Sequence, residues 1–251
     1  MTRVRVVLGM MLALGLTLAG AATPDWSGVW LPKIPEEDAA IAASPSPWTP
    51  AAKATIDALA AAEDAGHPKG LFVNCLPEGM PSWMLISHNA LEFLITPGRV
   101  TMLGESDGNR LRRIYTDGRP HQDDPDPSFF GDSVGRWEGQ TLVVDTIAVY
   151  PETYIALGEA VGVPNNGDLH VAERIYLKKP DVLADDLVIT APHVLTRPWK
   201  ITELFHRVPG AGNVIEEGEC LGGFYSEGKD GEGNSVFVPV PQTAFGNPKP
   251  D

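Results

Sequence analysis

Basic residues and cysteine are both scarce in this chain, and each shortage excludes a class of function. Lysine and arginine together number 19 against 33 aspartate and glutamate, which gives a formal net charge of −14 over 251 residues. A field of that sign repels phosphate backbones and anionic lipid headgroups, so a nucleic-acid partner is not expected. Cys75 and Cys220 are the two cysteines, which leaves neither a C-x-x-C redox motif nor a cysteine cluster for zinc.

Long apolar runs and nucleotide signatures are missing as well. No segment beyond the N-terminus approaches the roughly 20 apolar residues that a transmembrane helix needs, so membrane insertion is not predicted. The sequence contains neither G-x-G-x-x-G nor the Walker loop, and no cofactor is predicted. The acidic stretch with His121, Asp123, Asp124 and Asp126 lacks the glycine and the terminal glutamate of a calcium loop, so no metal is assigned.

What is present begins with an export signal. Arg3 and Arg5 precede an apolar run at 6–18, and small residues follow at 19–21. This order is typical of a secretory signal peptide, which we place at residues 1–21, so the mature protein is expected in the periplasm or outside the cell.

Export also bears on the two cysteines, because a disulfide persists in oxidising compartments. We therefore predict a disulfide between Cys75 and Cys220, with two buried free thiols as the alternative.

The remaining chain divides into an N-terminal part, a long β-rich part and a polar tail. Within 22–80, Trp26 to Trp30 indicates a strand, 32–47 an irregular proline-rich stretch, and 49–65 a helix capped by Thr49. The tail at 228–251 is predicted to be extended or partly disordered. Between them, at 81–227, runs of β-branched and aromatic residues predict strands near 82–88, 90–96, 99–105, 109–115, 133–138, 141–148, 168–178, 182–191, 198–207 and 214–221.

Tight turns between these runs indicate the fold class. Asp107-Gly108 and Glu138-Gly139 place an acidic residue and a glycine where a two-residue hairpin needs positive φ, so the flanking strands are antiparallel. The sequence therefore predicts a mainly β protein, an antiparallel meander that closes into a β-barrel with one N-terminal helix. A β-sandwich is the alternative.

Alternation along the strands places charged side chains on apolar faces. Glu173 shares a face with Val171 and Ile175, and His170 lies on the opposite face. The same pattern predicts that Glu203, Asp145 and the cation Arg113 lie on rows that are otherwise apolar. Because isolated buried charges are costly, we expect Arg113 to face some of these carboxylates inside the barrel. Such a cluster is compatible with a structural network that fixes strand register and with a pocket that orients a small ligand.

The stretch IYTDGRPHQDDPDP at 114–127 ends one of these strands. Tyr115, Asp117, Arg119 and His121 bring four hydrogen-bonding chemistries to a sheet rim, where ligand loops usually lie. A solvated turn without a function is the alternative, because aspartate, glycine and proline dominate the segment.

Six short motifs follow one another along the chain. They are CLPEGMP at 75–81, TPGRV at 96–100, RRIYTDGRPH at 112–121, SVGRWEG at 133–139, LVVDT at 142–146 and LHVAER at 169–174. With these motifs the chain resembles, from about Trp26 to Cys220, a group of secreted bacterial proteins of unknown function. The resemblance implies an exported β-rich domain of the lipocalin-like, calycin kind, without an assigned activity. At Pro164-Asn165-Asn166 this chain departs from a Pro-His-Ser-like run of that group, and so lacks its histidine.

These patterns predict an exported β-barrel enzyme acting on a small, partly apolar molecule, aromatic or terpenoid. Carboxylates in apolar surroundings suit acid–base work, so the reaction class is a cofactor-free lyase, isomerase or hydrolase step. A non-catalytic periplasmic carrier for a small hydrophobic ligand is the alternative. The candidate catalytic residues are Glu173, His170, Asp145, Asp117 and His121. The candidate substrate-binding residues are Arg113, Tyr115, Arg119, Trp137 and Glu203.

Overall fold

The computed structural model describes residues 24–65, 77–85, 90–105, 110–157, 161–210, 215, 225–229 and 235–239. The predicted signal peptide, both cysteines of the predicted disulfide and almost all of the strand predicted at 214–221 lie outside these residues. Those three assignments therefore stay predictions. Within the described ranges, none of the helices combines the length and the apolar character needed to cross a membrane.

Strands dominate the described chain. Its helices are α1 (Ile34–Ala43), α2 (Pro50–Asp64) and a single 3-10 turn (Ser82–Met84). Its strands are β1 (Val29–Pro32), β2 (Leu91–Thr96), β3 (Arg99–Gly104), β4 (Leu111–Tyr115), β5 (Asp132–Glu138), β6 (Thr141–Ile147), β7 (Tyr154–Leu157), β8 (Val161–Pro164), β9 (His170–Lys179), β10 (Val182–Thr190), β11 (Trp199–Arg207), β12 (Tyr225–Lys229) and β13 (Ser235–Pro239).

Nine of these strands close into a barrel in the order β1-β11-β10-β9-β6-β5-β4-β3-β2. Neighbouring strands pair antiparallel except β4 and β5, which pair in parallel through Tyr115 and Val134. The strands β7 and β8 form a separate hairpin inserted between β6 and β9, and β12 pairs with β13. The closed barrel confirms the predicted mainly β fold, and the sandwich alternative is not adopted.

The hairpin between β5 and β6 forms where its turn chemistry predicts it. Glu138 pairs with Thr141, so the loop consists of Gly139 and Gln140. Gly139 has a φ of 65°, a value at which side chains with a Cβ are strained. The other predicted turn, at Asp107-Gly108, lies outside the described residues.

Three segments differ from the sequence prediction. The stretch 32–47 is not irregular throughout, because it contains α1, in which proline occupies the first turn and Glu36 and Glu37 follow it near the positive end of the helix dipole. The strand predicted at 82–88 is wrong at its start, where the 3-10 turn buries Trp83 and Met84. The hairpin β7–β8 was not predicted, since its strands are only four residues long.

Large side chains dominate the buried core. Trp26, Trp30, Met102, Trp199 and Phe205 are each at most 1% exposed, and burial at this level contributes roughly 1.5 to 3 kcal/mol for each large apolar side chain. All five belong to one hydrophobic cluster, and polar groups buried beside it require partners.

The barrel closes over a short distance at β1. This strand pairs with β11 through three residues, from Trp30 to Pro32, and with β2 through Val29 and Trp30. Helix α1 follows directly and lies beside β11 where β1 has ended, because the Trp199 Nε1 donates to the Ser44 carbonyl at 2.7 Å and the Ser44 hydroxyl donates to the Lys200 carbonyl. Helix α1 thus lies against β11 beyond the point where β1 ends.

Candidate functional site

The predicted charged residues fall on two different faces of the barrel wall. Glu173 and Glu203 point into the interior, with 1% and 2% of their surface exposed, as alternation along their strands predicts. The inward orientations predicted for Arg113 and Asp145 are wrong. In β4 the buried residues are Arg112 and Ile114, and in β6 they are those at 142, 144 and 146.

Arg112 is the interior cation in place of Arg113. Its Nη1 donates to Glu173 Oε1 at 2.8 Å and its Nη2 to Glu173 Oε2 at 2.5 Å. The same Nη2 donates to Thr146 Oγ1 at 2.9 Å and contacts Ser133 Oγ at 3.3 Å. This bidentate pair, with both side chains fully buried, satisfies the geometry that lets a buried ion pair persist. We call Arg112, Glu173, Ser133, Thr146 and Asp185 the core network.

Asp185 adds a second carboxyl group to the core network. Burial raises the pKa of Asp185 well above its ordinary value, the charge of Glu173 raises it further, and Arg112 opposes the rise. Neither Asp185 oxygen accepts a hydrogen bond from a described donor, whereas both oxygens of Glu173 accept from Arg112. Burial without a donor favours the protonated form of Asp185.

Glu203 is a third inward carboxyl group, on the strand next to that of Asp185. The two residues are direct partners across β10 and β11. Burial, followed by the charge of the buried Glu37 on α1, raises the pKa of Glu203 to about 8, against a smaller lowering by the Leu204 backbone N–H. Glu203 is therefore protonated at neutral pH.

A second polar cluster lies on the outer wall, at one end of β5, β6 and β9. Asp132 Oδ2 accepts from His121 Nδ1 at 2.9 Å, and Asp145 Oδ2 accepts from His121 Nε2 at 2.9 Å. The other oxygen of Asp145 accepts from His170 Nε2 at 2.6 Å. Carboxylates and imidazoles thus alternate, and we call these four residues, Asp132, His121, Asp145 and His170, the His–Asp chain.

The barrel register brings three members of the His–Asp chain together. Asp132 begins β5, His170 begins β9, and Asp145 lies in β6 between them. Asp145 is paired with Val134 of β5 and with Ala172 of β9. Val134 lies two residues after Asp132 and Ala172 two residues after His170, so Asp132, Asp145 and His170 are on the same face of the sheet. His121 comes from the connection 116–131 between β4 and β5, which lies over this face.

The hydrogen bonds of the His–Asp chain determine its charge. Partial burial lowers the pKa of His121, but the hydrogen bonds and charges of Asp132 and Asp145 outweigh it and raise that pKa above its ordinary value. Burial likewise raises the pKa of Asp145, and the hydrogen bonds with His121 and His170 outweigh it, so this pKa lies below its ordinary value. Both ring nitrogens of His121 face carboxylates, which requires a hydrogen on each and makes His121 an imidazolium.

The two histidines differ in what they can do. His121 uses both ring nitrogens inside the chain and has a side chain 20% exposed, so it holds the two aspartates in place. His170 uses Nε2 alone and is 43% exposed, and no described residue bonds its Nδ1. An imidazole oriented by a carboxylate through one nitrogen and open at the other is the arrangement used in general acid–base catalysis.

The other predicted site residues are placed apart from the His–Asp chain or serve different roles. Asp117 accepts a bidentate contact from Arg119, with Nη2 to Oδ2 at 2.6 Å, and the Arg119 guanidinium stacks 4.0 Å from the Tyr115 ring centroid. This group is an exposed, self-paired turn, and the hydrogen bond with Asp117 is the main reason that the pKa of Arg119 is raised. Trp137 packs against Trp26 with ring centroids 5.3 Å apart and belongs to the core.

Two polar residues are explained only by the structure. The string GDSVG at 131–135 has the spacing of a serine nucleophile motif, but Ser133 lies inside β5, 2% exposed, and bonds Arg112, whereas a nucleophile elbow lies between a strand and a helix. Asn165, in the run Pro164-Asn165-Asn166 noted above, donates to the Tyr150 and Thr153 carbonyls at 2.7 and 2.9 Å. It fixes a loop.

The arrangement does not resemble a preformed metal centre. Within the described part of the chain, no group of three or more histidine, cysteine, aspartate or glutamate side chains is placed to hold a metal ion. In the His–Asp chain the nitrogens and oxygens bond one another directly. The chemistry that this cluster can supply by itself is proton transfer.

Comparison with protein-family models and with curated proteins identifies no relative of this chain. No protein-family model matches the chain, and no curated protein matches it. The resemblance to secreted bacterial proteins therefore stays an expectation.

Proposed function

We propose that the protein is an exported β-barrel enzyme that moves protons on a small, partly apolar molecule without a cofactor. The observation that carries this proposal is the His–Asp chain, in which Asp145 orients an exposed His170 through a 2.6 Å hydrogen bond. His170 acts as the general base or acid on substrate. Asp145 stabilises the imidazolium formed when His170 accepts a proton, and His121 and Asp132 are positioning residues. The resulting reaction class is a lyase, isomerase or hydrolase step in the periplasm or medium.

Glu173, a candidate from the sequence, is left out of this mechanism. Its two oxygens are held by Arg112 and its side chain is fully buried. A carboxylate in that state has neither access to a substrate nor a free lone pair directed at one. Its role in the proposal is to support the wall from the inside.

Aromatic side chains near the His–Asp chain support a partly apolar substrate. The connection 116–131 runs beside the end of β6, where Ser128 bridges to Val149. There the Phe129 and Tyr150 rings meet edge to face with centroids 5.4 Å apart, and Tyr150 is 40% exposed. An exposed aromatic edge near a proton-transfer group suits a ring-bearing or terpenoid substrate.

The experiment uses the mature protein and a bacterial metabolite extract in heavy water. Because a base that removes a carbon-bound proton returns a deuteron, mass spectrometry detects turnover even when an isomerase leaves the elemental formula unchanged. We expect a depleted metabolite, or one labelled with deuterium, with wild type. Loss of that signal by about 10²-fold or more is expected for His170→Ala and for Asp145→Asn, the usual size of general acid–base contributions.

His193→Ala is the matched control. His193 also bonds an aspartate, Asp168, at 3.1 Å, and it is half exposed, but it has no contact with the His–Asp chain. Its substitution should leave turnover within about twofold. If folded His170→Ala turns over as much metabolite as wild type, the assignment of His170 as the general acid or base is refuted.

A carrier function is the second candidate, and one observation favours it. A cavity of about 400 Å³ lies between α1 and strands β10 and β11, lined by alanines of the helix together with Asp186, Leu187 and Thr202. This volume is in the range of small-molecule sites. A metabolite that co-purifies unchanged, in the absence of any depletion or deuterium label, would favour this function over the enzyme.

A further inference from the structure

We propose that helix α1 is a clasp on the barrel wall that is closed in acid and released in alkali, with Glu203 as its proton-operated latch. This inference is independent of the proposed enzyme activity. It rests on where α1 lies, on which groups hold it, and on the charges buried beneath it.

The position of α1 makes it a weak part of the wall. Strand β1 pairs with β11 only as far as Pro32 opposite Phe205, so residues 199–204 of β11 have a strand partner on the β10 side alone. Helix α1 replaces the missing strand, and a helix cannot offer the ladder of backbone hydrogen bonds that a strand supplies. Its attachment therefore depends on a few side-chain contacts.

Those contacts lie at the two ends of the helix. At the N-terminal end, His206 Nε2 bonds Glu36 Oε2 at 2.8 Å. At the C-terminal end, the Ser44 carbonyl accepts from Trp199 Nε1 at 2.7 Å. Between them the helix covers Glu203 and contributes Glu37, and both carboxyl groups are buried, with 2% and 3% of the residue surface exposed.

The charges around Glu203 are almost all of its own sign. Helix α1 contributes Glu36 and Glu37, both of which disfavour ionised Glu203. From the neighbouring strand, Asp185 shares its face of the sheet. Beyond Asp185 lie Glu173 and the cation Arg112, whose guanidinium is already bonded to Glu173. Among the described residues no cation contacts Glu203, so ionisation leaves an uncompensated charge in an apolar site.

Linkage then gives the direction of the switch. The pKa of Glu203 is about 8 with α1 in place. The ordinary value of 4.5 applies when the clasp opens and water reaches the carboxyl group. The closed form therefore binds one more proton than the open form between these values. The closed form is most stable below about pH 4.5, and its stability falls as pH rises. Above about pH 8 the stabilisation that comes from the proton on Glu203 is lost completely.

Opening the clasp has a structural consequence. The cavity of about 400 Å³ is lined on one side by Ala40, Ala43 and Ser44 of α1 and its C-terminal end, and on the other by β10 and β11. Movement of α1 away from β11 widens this cavity and gives access to the barrel wall at residues 199–204. The clasp is thus placed to control entry of a small molecule from that side.

Hydrogen exchange of the α1 amides tests the proposal directly. In wild type, after correction for intrinsic exchange, protection of residues 34–43 should fall up to about tenfold per pH unit between about pH 5 and 8 and level off above. In Glu203→Gln, which imitates the protonated acid, protection should be high and independent of pH. Glu138→Gln is the matched control, because Glu138 is exposed and pairs with Arg136 and Arg174 on the outer wall, and it should retain the wild-type profile.

Two results would overturn the clasp. One is constant wild-type protection of α1 from pH 5 to 9, which needs no variant and so does not depend on whether Glu203→Gln folds. The other is a Glu203→Gln protein that loses protection with the wild-type slope, since another group would then be the latch.

Discussion

Replacing Arg112 with methionine tests whether the core network holds the barrel together. Methionine keeps much of the volume of the side chain but removes the hydrogen bonds to Glu173, Thr146 and Ser133. Glu173 would then be an isolated anion in the interior beside Asp185. Breaking a buried pair from one side typically costs about 3 to 5 kcal/mol, a large part of the roughly 5 to 15 kcal/mol that keeps a domain folded.

The assay is urea unfolding of the purified variants at pH 5 and pH 8. In Arg112→Met burial disfavours the charged form of the unpaired Glu173, so this loss of stability should be larger at pH 8 than at pH 5. Adding Glu173→Gln removes the stranded charge, and the double variant should recover at least half of the loss at pH 8.

Arg136→Met is the control for this series. Arg136 pairs with Glu138 at 2.8 Å but is 68% exposed, so its loss should cost less than about 1 kcal/mol. The reasoning is refuted if Arg112→Met costs no more than this control, or if the double variant is as unstable as Arg112→Met alone.

The remaining predictions concern the connection between β4 and β5 and the latch. Gly131→Ala should destabilise the protein by about 2 kcal/mol or more in urea unfolding, because Gly131 has a φ of 68° and a Cβ there would lie 2.4 Å from the Ile147 carbonyl oxygen. Gly139→Ala, with a similar φ and nothing within 4 Å, should cost only about 1 kcal/mol. Asp132→Asn should lower the pKa of His121 measured by NMR and reduce the stability that is present below about pH 6.5 and lost as pH rises through that pKa. Glu203→Gln should stabilise the protein at pH 8 by up to about 5 kcal/mol, since about 1.4 kcal/mol per pH unit separates 4.5 from about 8, and should leave stability at pH 4 nearly unchanged.

How far strand alternation predicts side-chain orientation depends on how unequal the two faces are. In β9 the row of Val171 and Ile175 is apolar and the opposite row is polar, so the inward placement of Glu173 followed from the sequence alone. In β6 both rows mix apolar and polar residues, with Thr141 and Asp145 on one row and Thr146 on the other. Alternation alone therefore does not show which row faces the interior. The buried row is the one with Thr146, which has an interior hydrogen-bond partner in Arg112.

The adjacent arginines of β4 pose the same difficulty in a stronger form. Arg112 and Arg113 are identical in type, and the flanking residues Leu111 and Ile114 put one aliphatic side chain on each face. The aromatic Tyr115 favours the wrong row, because its ring lies at the rim under Arg119. Only the position of Glu173 across the barrel distinguishes them, and that contact is not local in sequence.

In the His–Asp chain, by contrast, the sequence predicts three of the four residues but not the contacts that bring them together. His121, Asp145 and His170 were candidates because of their chemistry, yet Asp145 was assigned to the interior. Asp132 was missed, since it looks like one more aspartate at the end of an acidic loop. What assembles the chain is the register of β5, β6 and β9 together with a loop laid across them, and loop paths are not readable from composition.

The two polar clusters depend on each other because they share strands. Strand β6 contributes Thr146 to the core network and Asp145 to the His–Asp chain, and β9 contributes Glu173 to the first and His170 to the second. A slip of one residue between these strands would send each of these side chains to the opposite face. The bonds that Arg112 makes to Glu173 and Thr146 exist in one register only. The interior ion pair therefore fixes the alignment in which Asp145 meets His170, although none of its atoms lies on the outer wall.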